Sequence, residues 1–173
     1  MKRSLKFLFL LIFSLLIFPC FSFADEFRVT RVYDGDTVKA ETPDIVIYIM
    51  LMGIDAPELS GQVDGKDQPF SREAKDFLSS LILNKTVVLE GYGTVPYPDN
   101  NIMSVLYLKG KNINLEMVRH GLAEVCRQHL PEGFDIGPYL EAEKEARKVK
   151  NGMWSLGDKY ISPAQWRKMH KVN

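Results

Sequence analysis

Five short β-rich runs, interrupted once by a helical stretch, leave this chain few ways to fold. "FRVTRVY" from Phe27, "TVKAE" from Thr37 and "IVIYIMLM" from Ile45 follow one another across turn residues, Asp34-Gly35-Asp36 in the first break and Thr42-Pro43-Asp44 in the second. β-branched and aromatic runs split by Gly, Pro and Asp pair with their sequence neighbours, so the spacing predicts a three-strand meander. The third run is apolar at nearly every position, the pattern of a strand covered on both faces, inside a closed barrel and under a helix. "SREAKDFLSSLIL" then sets Ala74, Phe77, Leu78 and Leu81 at helical spacing, with Ser71 as the expected N-cap.

"TVVLEGY" and "IMSVLYLKG" read as two further strands joined by the Pro- and Asn-rich "GTVPYPDNN". "NINLEMVRHG" follows as a short helix, Asn114 at its cap and Gly121 as a left-handed stop. "YLEAEKEARKVKNG" makes a charged helix closed by Gly152. The sum is an α+β chain, mainly β: a five-stranded OB-fold barrel with about three covering helices.

The first 24 residues stand apart. Lys2, Arg3 and Lys6 precede an apolar run from Phe7 to Phe18 and a small-residue exit at Ser22-Phe23-Ala24, the layout of a secretory signal peptide cut after Ala24. The run is shorter than the roughly 20 residues of a spanning helix, so cleavage is expected rather than an anchor, and the product is exported to the periplasm or the extracellular space with no stable membrane partner. One domain, residues 25–173, then remains, of a length that buries a real core. Cleavage removes three basic residues and no acid, taking 22 basic residues to 19 against 22 acidic. A mildly acidic chain lacks the basic footprint of a tight nucleic-acid binder and leaves room for an enzyme that only visits its substrate. Cys126 would be the one cysteine left, so no internal disulfide is expected, and a monomer is the expected state. His120, His129 and His170 lack the spacing of zinc ligands.

The chemistry sits in the breaks between strands. "DGDT" carries Asp34 and Asp36, and the third strand exits through "GIDAPE" with Asp55 and Glu58. Carboxylates brought together repel unless a cation joins them, and a hard divalent ion favours such oxygens. "DGDT" between strands one and two, "GIDAPE" after strand three and "NINLEMVRHGLAEV" after strand five together resemble the thermonuclease family, the micrococcal (staphylococcal) nuclease type of calcium-dependent phosphodiesterase. The likeness runs from about Phe27 to Trp154. It implies that Asp36 and Asp55 are Ca2+ ligands, another divalent ion being possible. Glu58 would act at the metal site and position or deprotonate the attacking water, and Ala56 would offer its carbonyl. It also implies a DNA or RNA substrate, a packing role for Trp154 and structural roles for Asn114 and Gly121.

The resemblance fails at two positions. The family surrounds the phosphate with two arginines, and here those positions hold Met50 and Asn101. An arginine fork clamps a phosphate twice and stabilises the growing negative charge; methionine does neither, and asparagine offers a neutral amide. Lys39, Arg72 and Arg127, beside Asn101, are the candidate substrate-binding residues, each with a plainer alternative as a solvated surface charge. Two functions therefore stand open: a metal-dependent nuclease with a weakened phosphate clamp, and an inactive barrel kept as a nucleic-acid or protein binding module. The tail "GDKYISPAQWRKMH" mixes aromatic and basic residues, to stack on bases or to pack on the barrel.

Overall fold

The structure, a computed structural model, describes residues 26–59, 66–94, 101–128 and 130–170. Residues 1–24, expected above to be a signal peptide, the cleavage point expected after Ala24, His129 and most of the "GTVPYPDNN" loop lie outside them. Eight strands occur among the described residues: β1 (Glu26–Val32), β2 (Thr37–Glu41), β3 (Val46–Leu51), β4 (Ile54–Asp55), β5 (Thr86–Thr94), β6 (Ile102–Leu108), β7 (Lys111–Asn112) and β8 (Glu124–Val125). The helices are α1 (Ser71–Ile82), α2 (Ile113–Arg119), α3 (Gly137–Lys148) and α4 (Pro163–Met169), with a 3-10 segment over Gly152–Lys159.

The five long strands close a barrel. β1 to β3 form the meander, β5 joins β1, β6 joins β5, and β3 meets β6 in parallel to shut the ring. Side chains alternate across a strand, and β2 sends Val38 and Ala40 inward on that rule. β1 buries Phe27, Val29 and Val32, and the odd last step is made by a register shift between Val29 and Arg31 that carries Val32 back to the inside. Ala74, Leu78 and Ile82 of α1 pack on the same core.

The third strand departs from its expected two-sided cover. Ile49 and Leu51 are buried, but Ile45 and Val46 are each 53% exposed and Tyr48 is exposed as well. β6 runs beside β3 from Ile49 onward; before it, β2 is the strand paired with β3 among the described residues.

Two caps also differ from expectation. Phe70, in left-handed backbone with φ of 72°, is the N-cap of α1, and Ser71 is its first residue. At α2 the cap is Asn112, whose side chain accepts the Leu115 N–H at 2.9 Å. Asn114, two residues on and within the first turn, is fully buried and works as a staple. Its Oδ1 accepts the Leu106 N–H, and its Nδ2 donates to the carbonyls of Met52 and Ser104, all at 3.0 Å, tying α2 to β6 and to the turn after β3. The Ser104 carbonyl also accepts the Met52 N–H at 2.8 Å and keeps a partner without Asn114. An unpaired buried donor or acceptor costs about 1–3 kcal/mol, so Asn114→Ala, which takes the partner from the Leu106 N–H and the Met52 carbonyl, is expected to lower the unfolding free energy by about 2 kcal/mol or more. Urea titration checks this, and a loss under about 1 kcal/mol would show that the staple is dispensable.

Gly121 (φ 63°) does end α2. A Cβ there would stand 2.2 Å from the Asn151 carbonyl oxygen, and one on Gly152 2.3 Å from the Gly121 oxygen, so the two glycines let the chain after α3 press on the end of α2. Glu143 fastens α3 on its other side, accepting the Val125 N–H at 2.9 Å and pairing with Arg127 and Arg147. From there the chain reaches α4 as an anchored extension. Trp154 is buried with the Arg147 guanidinium 3.6 Å from its ring and the Tyr160 ring 4.6 Å away. Ser162 and Gln165 form a capping box at the start of α4.

Candidate active site

The β1–β2 turn is built by its own aspartate. Asp34 Oδ1 accepts the N–H groups of Asp36 at 3.0 Å and Thr37 at 2.7 Å, which closes the turn on itself. Gly35 has a physical reason: a Cβ on it would fall 2.6 Å from the Ala56 Cβ and 2.8 Å from the Ala74 Cβ. The missing side chain lets "DGDT" touch "GIDAPE" over the start of α1. There Asp36 Oδ2 accepts the Ala56 N–H at 2.8 Å, and its Oδ1 accepts the Thr37 hydroxyl at 3.2 Å.

Asp55 and Glu58 come to the same place from β4 and the loop beyond it. β4 is held by β8, where Asp55 lies opposite Glu124. Glu58 is set by Gln68, a buried residue whose Oε1 accepts the Glu58 N–H at 2.9 Å and whose Nε2 donates to the Ile161 carbonyl at 2.8 Å. Gln68 thus ties the acid loop to the segment that leads into α4.

From α4 comes a residue that the sequence reading did not single out. Arg167 grips Asp55 end-on, Nη1 to Oδ1 and Nη2 to Oδ2, both at 2.9 Å, and its Nη1 also donates to Glu58 Oε1. A lone arginine in a charged tail, 112 residues from its partner Asp55, carries no local signal of that contact. The Ser-x-x-Gln capping box at Ser162 is the one hint that a helix starts there.

Electrostatically the cluster is strained. Burial pushes the Asp36 carboxyl well above the ordinary carboxylate range, the charges of Asp34 and Asp55 add to this, and the Ala56 N–H only partly offsets it. Glu58 is also raised, by burial first; Arg167 opposes the rise and the Asp55 and Asp34 charges add to it. Glu124 is raised by burial, against its hydrogen bond from the Tyr160 hydroxyl, with the Asp55 charge adding to the rise.

The other substrate-binding candidates lie apart from these acids. Lys39 stands 3.5 Å from Glu41 along its own strand, Arg72 pairs with Asp67 at 2.7 Å, and Arg127 is engaged with Glu143 and the Val125 carbonyl. Met50 is half-buried opposite Thr37 and Met103 in the barrel wall, and half-buried Asn101 just precedes β6. None of these makes a hydrogen bond or ion pair with the carboxylates of Asp36, Asp55 or Glu58 among the described residues. The acids suit a hard divalent ion in kind, since Asp36 is crowded by like charges and pairs with no cation among the described residues. Yet among the described residues no three His, Cys, Asp or Glu side chains form a ready ion cage, and the position between Asp55 and Glu58 belongs to a guanidinium.

A profile of staphylococcal nuclease homologues matches residues 48–156. The chain belongs to that family. Within it, an "uncharacterized endonuclease" of Haemophilus influenzae is 34% identical over 165 residues, covering 95% of this chain and 84% of the relative. One of Escherichia coli with the same description is 35% identical over 142 residues, covering 81% and 83%. A "probable endonuclease LCL3" of Debaryomyces hansenii is 29% identical over 170 residues, covering 83% and 72%. For a staphylococcal nuclease homologue the position of Arg167 is notable, because it lies beyond the segment that the family profile matches.

Proposed function

We propose that the chain is an exported, divalent-metal-dependent nuclease that hydrolyses phosphodiester bonds of DNA or RNA at the Asp36, Asp55 and Glu58 cluster. The observation that carries this reading is the convergence of "DGDT" and "GIDAPE", which the Gly35–Ala56 approach and the Asp36–Ala56 hydrogen bond bring about in a family whose relatives bear endonuclease names. Asp36 and Asp55 would hold the ion, which when bound polarises a phosphoryl oxygen and supports a nucleophilic water.

What the chain itself does can be followed residue by residue. Gln68 and Arg167 fix Glu58 from its backbone and from one oxygen, leaving the second carboxylate oxygen to orient a water and take its proton. The raised affinity of Glu58 for a proton suits a base that must bind one during turnover. The apolar β3–β6 wall, with Met50 in it, offers the phosphate no charge.

Purified protein incubated with plasmid and with denatured DNA is expected to digest both when calcium is present and neither when a chelator is added. Absence of cleavage over a day at micromolar protein would favour the second reading, a binding module, for which the replacements at Met50 and Asn101 speak. Export rests on residues 1–24, and N-terminal sequencing of the protein recovered outside the cytoplasm is expected to begin at Asp25. A full-length, membrane-held form would contradict it.

A further inference from the structure

We propose that Arg167 is the phosphate-binding arginine of this site, delivered by the C-terminal helix in place of the charge that Met50 and Asn101 do not supply. The proposal rests on the nuclease reading above. Among the described residues Arg167 is the cation that touches the acids, being bonded to both Asp55 and Glu58. A group in contact with Glu58 is within reach of any phosphate that a water held by Glu58 can attack.

The geometry of the fork supports a working role over that of a simple counter-ion. A guanidinium has two bidentate edges, end-on through Nη1 and Nη2 and side-on through Nε and Nη2. Asp55 takes the end-on edge, while Nε makes no hydrogen bond among the described residues and the side chain stays 45% exposed. The side-on edge thus keeps its Nε donor without a protein partner among the described residues, and its shape suits two oxygens of a phosphate. Asp55 is not used up by this grip, because a carboxylate offers about four acceptor positions and the fork occupies two.

Placement is secured from three directions. Gln68 joins the Glu58 backbone to Ile161, Tyr160 is held by Glu124 and by Trp154, and the capping box fixes the start of α4. Such supports hold a side chain to the narrow tolerance that a transition-state contact requires. Lys39, Arg72 and Arg127, each paired elsewhere, lack this access to the acids.

The test uses the full mature chain with calcium, reading cleavage of a fluorescent single-stranded oligonucleotide and the affinity for a phosphorothioate strand by anisotropy. Arg167→Ala is expected to slow cleavage by about 100- to 1,000-fold, the loss typical of one such donor, and to weaken strand binding by about tenfold. Arg167→Lys keeps the charge beside Asp55 and Glu58 but not the planar fork, and is expected to lose at least about tenfold in rate while melting like the parent. A lysine variant that melts like the parent and cleaves as fast would overturn the proposal. So would an alanine variant that cleaves faster than the parent, which would make Arg167 a plug in the site. If the parent binds the strand without cleaving it, the nuclease reading fails alone, and unchanged strand affinity in both variants would then reject Arg167 as a phosphate ligand.

Discussion

Replacing Glu58 with glutamine is expected to slow cleavage by about 100- to 10,000-fold, the usual worth of a positioned base, and to leave the protein at least as stable as the parent at neutral pH. The two halves have one cause. Glu58 is kept at the site by the Gln68 amide and by Arg167, but burial and the neighbouring Asp55 and Asp34 charges make its ionised form costly. Its folded pKa is raised above the ordinary 4.5, so the folded state binds the proton more tightly than the unfolded chain does. Stability from this group is then present below the unfolded value and declines as pH rises through the raised one. Glutamine keeps the shape and carries no charge, so the melting temperature of Glu58→Gln should gain on the parent between pH 4 and pH 7. Single-turnover kinetics and melts across that range check both halves. A variant that cleaves like its parent would remove Glu58 from the chemistry.

Asp36→Asn should behave in the same sense and more strongly in the absence of metal, because burial and the Asp34 and Asp55 charges raise Asp36 well above the ordinary carboxylate range. With a raised folded pKa, the ionised group lowers stability once the pH exceeds its unfolded value, so asparagine relieves that cost at pH 7. Calcium reverses the comparison. A ligand at 100 times its dissociation constant stabilises the folded state by about 2.7 kcal/mol, and the parent should melt higher on adding calcium while Asp36→Asn gains little. The expected result is a crossing of the two melting temperatures: the variant higher without calcium, the parent higher with it. An equal calcium response in both would dismiss Asp36 as a ligand.

Much of this was legible in the sequence, for reasons that can be named. The barrel could be read because its strands are β-branched and aromatic runs that break at Gly, Pro and Asp, with β1 and β2 burying residues by strand alternation. The meeting of Asp36 with the "GIDAPE" loop followed from three segments that resemble a family in order, and Gly35 is the residue that permits it physically. What failed was local. An all-apolar run does not say which of its faces a neighbour covers, so the exposed start of β3 was missed. Asn112 and Asn114 are equally good caps by type, and only the tertiary pairing of Asn114 with Leu106, Met52 and Ser104 separates them. Arg167 was out of reach, since its role depends on where Gln68 and Tyr160 lead the chain. Pattern reading has no term for such a path.

A crystal structure of residues 25–173 with Glu58→Gln, grown with calcium and a short single strand, tests the site as a whole, since the variant is expected to leave the strand intact. The expected density shows the ion on Asp36 and Asp55, with a backbone phosphate beside it on the open edge of Arg167. An ion or strand bound away from these residues, with Asp36 still bonded to Ala56 and Thr37 and no ion beside it, would contradict the assignment of this cluster as a nuclease centre.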